Sequence, residues 1–237
     1  LLFKRLESSI DAFKKTVNRF IASYEGFIKA YENGEVYLSK KHSQEIFDYL
    51  EAGEDAKIED LISGDKAERY DANEFNPELG EELKKDLKVL KQIRDYWQSI
   101  NRDPKIIAFK EKLANEGPFQ SAKSIIFTES QETAIYLESQ LKNYFNCRLI
   151  AFAGSDNAKK REKVLQNFDA NSSNPEDDFD ILITTDVLAE GVNLHCANVV
   201  VNYDLPWNPA RMMQRVGRIN RINTKFKKIF IRNNIIL

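Results

Sequence analysis

Arginines at 211, 215, 218 and 221 crowd a short stretch behind Trp207-Asn208-Pro209, which reads ARMMQRVGRINR. Guanidinium groups stay charged and hydrogen-bond in a planar fork, so a pair of them can clamp a terminal phosphate and neutralise charge during its transfer. Gln214, Arg218 and Arg221 are spaced four and three apart and project on a similar side if a helix starting near Asn208 persists through them. Met212, Val216 and Ile219 fall on another face that can bury against a sheet. Arginines late in a helix also complement its dipole, which explains one or two of these but not the whole pattern.

A second set of polar residues follows short apolar runs. Thr128 and Ser130 come after SIIF, Gly154 and Ser155 after LIAFA, Thr184, Thr185 and Asp186 after DILI, and Asp204 after VVVNY. Singly these are ordinary turn residues. Together they place hydroxyls and glycine amides where main-chain N–H groups can approach the oxygens of a phosphate backbone.

The elements that must position these residues are legible from about residue 103 onward. Asp103-Pro104 is an N-cap followed by proline at the first helical position, opening a helix to about Asn115. Strands are expected at 123–127, 147–152, 180–184, 198–202 and 228–232, with helices at 131–144 and 157–168 between them. Continuous apolar strands alternating with helices imply a parallel sheet covered on both faces. Ligands of such sheets bind beyond the strands' carboxyl ends, where the polar residues fall. The loop 169–178, DANSSNPEDD, is long enough to be mobile.

Residues 1–33 carry Leu6, Ile10, Phe13, Val17, Phe20, Tyr24, Phe27 and Tyr31 at alternating spacings of four and three, the pattern of one long amphipathic helix. So many aromatics on the stripe suit packing against a domain better than a dimer seam. Residues 35–76 are polar and acidic, with short helical candidates at 44–50 and 56–62. Another helix is expected at 77–101, with Leu83, Leu87, Leu90, Trp97 and Ile100 near one face. The division that results is a helical region, 1–102, before an α/β region, 103–237.

Composition is that of an ordinary globular chain: 237 residues, 42% hydrophobic and 30% charged. No apolar run approaches the roughly 18 residues of a membrane span. Cys147 and Cys196 stand far apart, and His42 and His195 are the only histidines, a set too sparse for a zinc site or disulfide framework. These features predict a cytoplasmic setting, no membrane partner and no bound metal. The net charge of -2 conceals an asymmetry, because no Asp or Glu follows Leu205 while eight Lys and Arg do.

VLAEGVNL, NYDLPWNP and QRVGRINRI resemble motifs five and six of superfamily-two helicases, in particular the bacterial Swi/Snf-related translocases. SIIFTES resembles motif four, and AFAGSDNAKKREKVLQNF resembles the segment in which Gly-Ser is followed by an arginine on the next helix, here Arg161. The resemblance covers roughly residues 103–232, with four motifs in the family's order. It implies a RecA-like second lobe. Arg218 and Arg221 would be arginine fingers reaching the γ-phosphate of ATP. Gln214 and Arg215 would orient their helix on the nucleotide side, and Glu190, Gly191 and Asn193 would link the nucleotide and nucleic-acid sites. Thr128, Gly154, Ser155, Arg161 and Thr185 would touch the tracked strand, DNA or RNA, with the Swi/Snf likeness favouring duplex DNA.

None of the nine glycines is followed by lysine, so this chain has no GxxxxGK[ST] phosphate loop. Without that loop Asp186 reads as a turn residue rather than a magnesium ligand. ATP and Mg2+ would therefore be held mainly by a first RecA-like lobe outside this sequence. The chain reads as a fragment that cannot hydrolyse ATP alone, and no oligomer is expected. The alternatives are a non-catalytic RecA-like module binding nucleic acid or protein, and self-association through the first helix.

Overall fold

The structure, a computed structural model, describes residues 2–39, 42, 45–46, 60–64, 66–115, 123–145, 148–154, 156–189, 192–220 and 226–233. Short apolar runs form its main sheet: β3 (Ser124–Phe127), β4 (Leu149–Phe152), β5 (Ile181–Thr184), β6 (Val199–Asn202) and β7 (Phe230–Asn233). They lie in the order β4-β5-β3-β6-β7, every pair parallel. β3, β4 and β6 are buried at every position, as a parallel sheet covered on both sides requires.

Strand alternation sorts the side chains into two cores. Ile125, Phe127, Ile150, Phe152, Leu182 and Val200 pack with Val164 and Phe168 of helix α6 (Ala158–Phe168) and with Leu188, Leu194 and Ile219. Ile126, Leu149, Ala151, Ile183, Val199 and Val201 pack on the other face. There they meet Ile106, Phe109 and Leu113 of helix α4 (Pro104–Asn115) and Leu137 and Leu141 of helix α5 (Gln131–Phe145). The α/β architecture with helices on both faces is as expected. Two of these helix starts carry a side-chain cap: Asp103 Oδ1 accepts from the Lys105 amide at 3.0 Å and Asn157 Oδ1 from the Lys160 amide at 2.9 Å.

The loop 169–178 is tied back at its far end. The buried Asn167 side chain accepts the amides of Asp178 at 2.7 Å and Phe179 at 3.1 Å, and donates to the Lys163 carbonyl at 2.9 Å.

Two compact units make up the chain: Leu1–Phe13 with Arg102–Leu237, and Lys14–Asn101. The first thirteen residues thus belong with the sheet, not with the helical region that follows them. The expected long first helix is two: α1 (Leu2–Ser8) and α2 (Ile10–Glu32). They part at Ser9, whose hydroxyl accepts the Ala12 amide at 3.1 Å and so caps α2.

The second unit contains an antiparallel pair that the acidic composition concealed, β1 (Glu35–Leu38) and β2 (Glu68–Asp71), in register from Glu35↔Asp71 to Leu38↔Glu68. Helix α3 (Leu79–Gln98) falls within the expected 77–101, yet none of its residues is fully buried. Ion pairs join α3 to α2 instead, Lys84 to Glu32 at 2.9 Å and Lys91 to Glu25 at 2.7 Å. The helical candidates at 44–50 and 56–62 lie largely outside the described residues. No helix among the described residues is long and apolar enough to cross a membrane.

Candidate functional site

The strand order brings the carboxyl-end residues together. Gly154 follows β4, Thr185 follows β5, Thr128 follows β3 and Asp204 follows β6, and these four strands are consecutive neighbours. One rim therefore carries all four.

They are not alike in what they offer. Thr128 is fully buried and its hydroxyl donates to the Asp204 carboxylate. The Thr128 side chain braces the rim from inside. Asp204 is the hub of that brace. Its Oδ2 also accepts the Ser8 hydroxyl at 2.7 Å and the Glu129 amide at 3.0 Å, and its Oδ1 pairs with Lys105 Nζ at 2.7 Å. Four donors satisfy one buried carboxylate.

Thr185 is also buried, but it borders a cavity. It is 8% exposed, its hydroxyl has no partner among the described residues, and it lines a cavity of about 330 Å³ with Lys4, Glu129, Gln131, Gly154, Asp186 and Arg211. The Gly154 turn is shaped by Asp156, whose Oδ2 accepts the Ala153 amide at 2.8 Å. Arg161 is exposed in the first turns of α6. Ser155 lies outside the described residues.

A second, larger cavity of about 520 Å³ adjoins Lys4 and Glu129 and is also lined by Ser8, Lys105, Tyr203, Asp204 and Trp207. Lys105 Nζ sits 4.2 Å from the centre of the Tyr203 ring. Burial, followed by the nearby carboxylates of Asp103 and Asp204, pushes the Tyr203 phenol well above its ordinary range, so it remains protonated.

The arginine segment opens as expected, with Asn208 Oδ1 accepting the Ala210 amide at 2.9 Å and Pro209 in the first turn. Helix α7 (Pro209–Gly217) then stops, and Arg218 is its C-cap. The helix does not carry Gln214, Arg218 and Arg221 on one continuous face. Gln214 is exposed.

Arg215 is fully buried. Its Nε and Nη2 donate to Asp186 at 2.7 and 3.1 Å, and its Nη1 donates to the Asn202 side chain at 3.0 Å and the Asp204 carbonyl at 3.1 Å. Four of its five N–H groups are engaged inside the protein, so this guanidinium holds the helix against the rim. The spacing held the clue: Met212, Arg215, Val216 and Ile219 fall at i, i+3, i+4 and i+7 of the buried stripe.

Arg218 is half-buried, and its guanidinium makes no hydrogen bond or ion pair among the described residues. Its main chain is pinned, because the Leu194 amide donates to the Arg218 carbonyl at 3.0 Å. That bond couples the NL end of VLAEGVNL, next to the half-buried Asn193, to the first candidate finger. Glu190, Gly191 and Arg221 lie outside the described residues.

No cluster of metal-ligating side chains occurs among the described residues. The carboxylate that most resembles a magnesium ligand, Asp186, is committed to Arg215 and so does not fit that role. Asp186, Asp204 and Lys105 hold the site's frame, and of these only the two aspartates stood out in the sequence, as turn residues.

A parallel five-stranded sheet flanked by helices on both faces, with its polar residues gathered on the carboxyl rim, is a RecA-like α/β fold. The helicase conserved C-terminal domain family matches residues 105–223, just over half of the chain, and the chain belongs to that family. It is similar to the uncharacterized ATP-dependent helicase YqhH of Bacillus subtilis, 38% identical over 100 residues that make up 42% of this chain and 16% of the relative. A probable eukaryotic initiation factor 4A of Trypanosoma brucei is 28% identical over 60% of this chain and 33% of its own. The ATP-dependent RNA helicase DBP6 of Candida albicans is 40% identical over 42% of this chain and 16% of its own. The chain thus spans between a sixth and a third of these relatives' lengths. Among solved structures, the C-terminal part of the Fun30 ATPase domain aligns at 22% identity and a TM-score of 0.47, covering 65% of this chain and 53% of that one. The C-terminal domain of the DEAD-box protein Dbp5 aligns at 26% identity and a TM-score of 0.44, covering 54% and 67%.

Proposed function

We propose that this chain is the second motor lobe of an ATP-dependent nucleic-acid translocase of the bacterial Swi/Snf-related kind. In this reading it supplies arginine fingers to a nucleotide held by a first lobe and backbone contacts to duplex DNA. The observation that carries it is the contrast between two arginines three residues apart. Arg215 is consumed as a strut, whereas Arg218 has a pinned main chain and a guanidinium without a partner among the described residues. A finger needs that combination, since a fixed position lowers the cost of orienting the charge at the moment of transfer.

Arg218, with Arg221 following it, reaches the γ-phosphate across the lobe interface, and Gln214 borders the same interface. Bound ATP supplies the transferable phosphoryl group, and Mg2+ neutralises its oxygens from the first lobe. Glu190, Gly191 and Asn193 transmit between that interface and the strand, with the Leu194–Arg218 bond as the physical link. Gly154, Ser155, Arg161 and Thr185 hold the strand by its phosphates, which makes binding indifferent to sequence.

The test is an Arg218→Ala substitution in a protein restored to two lobes. ATP turnover is expected to fall by at least about 100-fold, in line with the contribution of fingers elsewhere, with nucleic-acid affinity nearly unchanged. Turnover close to that of the unsubstituted protein rejects the finger. The RNA helicases among the relatives favour a second reading of the track. Competition of labelled duplex DNA by RNA on the same chain decides between them.

A further inference from the structure

The segment Leu2–Ser8 precedes the family-matched residues by about a hundred positions, yet it is fastened to the carboxyl rim. Arg5 Nη1 donates to Ser130 Oγ at 2.8 Å and to Glu132 Oε2 at 3.1 Å, and Ser8 Oγ donates to Asp204 at 2.7 Å. These contacts deliver Lys4 to the cavity that Thr185 and Gly154 line, where Lys4 Nζ lies 2.6 Å from Glu129 Oε2.

Glu129 stands between two cations. Arg211 Nη1 is 4.0 Å from its other oxygen, Oε1, and 3.6 Å from Asp186 Oδ2. Asp186 is already neutralised by Arg215 at 2.7 Å. The remaining charges are Lys4 and Arg211 against a single carboxylate, a formal excess of one positive charge around the cavity. Within it the Thr185 hydroxyl and Glu129 Oε1 are both buried without a hydrogen-bond partner. An unpartnered hydroxyl beside a cationic cavity is an arrangement that a phosphate group can satisfy.

We propose that Lys4 is a phosphate ligand: one phosphodiester of the bound strand is held by Lys4 Nζ, the Arg211 guanidinium and the Thr185 hydroxyl, and Glu129 occupies the cations until the strand arrives. This deepens the reading of the rim as a backbone track and rests on it. Glu129 works against the strand by like-charge repulsion and so sets how tightly the lobe grips.

Fluorescence anisotropy of labelled, mixed-sequence duplex DNA and of single-stranded RNA with the 237-residue chain, across a salt series, tests it. Lys4→Ala is expected to weaken binding about 5-fold near ~0.1 M salt and to lower the salt slope by about 1, the signature of one lost phosphate contact. Glu129→Gln is expected to tighten binding several-fold. A bridge that only holds the rim together predicts the same direction for both variants, because either substitution breaks it. Unchanged affinity and slope in Lys4→Ala, or weakening by both variants, overturns the proposal. If Arg161→Ala weakens binding while Lys4→Ala does not, the Lys4 assignment fails alone. If the unsubstituted chain shows no salt-sensitive binding to either probe, the track reading fails with it.

Discussion

A single guanidinium decides how the arginine segment is understood. Arg215 is the largest fully buried side chain in the described structure, and its charge is matched by Asp186, which is only partly covered. Removing one partner of such a pair leaves the other charge uncompensated and costs about 3 kcal/mol or more. Asp186→Asn is therefore expected to destabilise the lobe by about 3 kcal/mol in urea unfolding, with the midpoint falling and the slope m preserved. A loss below about 0.5 kcal/mol, the level of a surface pair, would mean that Arg215 is hydrated and not a strut. The arginines were legible in the sequence as a group, but their division of labour was not. Arg215 sits on the same helical stripe as Met212, Val216 and Ile219, and a stripe does not say whether a charge upon it meets a carboxylate. That depended on where β5 delivers Asp186, a residue 29 positions away.

Most helices and strands from Asp103 onward were legible to within a residue or two, because uninterrupted apolar runs alternate with amphipathic helices. Legibility failed where neighbours, not local pattern, set the outcome. The helix of the arginine segment ends at Gly217, and the Arg218 carbonyl is taken by Leu194 from outside the helix. β1 and β2 pair through backbone bonds that a charged pattern such as ERYD does not announce. The loop 169–178 read as mobile, yet its return into β5 hangs on Asn167, which is 1% exposed and ties two amides to the end of α6. Asn167→Ala would strand both N–H groups, and a lost bond of this kind costs on the order of 1–3 kcal/mol. We expect about 2 kcal/mol of destabilisation and faster hydrogen exchange at Asp178 and Phe179, with the β3 and β6 amides keeping their protection. Unaltered exchange at those two amides would show that the clasp does not form.

At the scale of the molecule, the run of basic residues after Leu205 does not map onto one surface. Arg215 is buried, and β7 runs parallel to β6 with Phe230 opposite Val199, so Lys227 and Lys228 enter at the amino ends of the strands, away from the rim that carries Gly154 and Thr185. The amino-end side also holds Arg148 and Lys123, both paired with acidic residues before β5: Arg148 with Asp180 at 2.6 Å and Lys123 with Asp177 at 2.7 Å. The charge asymmetry visible in the sequence is thus split by the topology. On the proposed track, a strand lying across the carboxyl rim would meet Arg161 and not the two late lysines. Each phosphate neutralised by a cation adds about 0.9 to the magnitude of the slope of log K against log salt on duplex DNA. Arg161→Ala should accordingly lower that slope by about 1, while Lys227→Ala with Lys228→Ala should leave it as it was. If the paired lysine substitution flattens the salt dependence and Arg161→Ala does not, nucleic acid lies on the opposite end of the sheet, and the carboxyl rim is not the track.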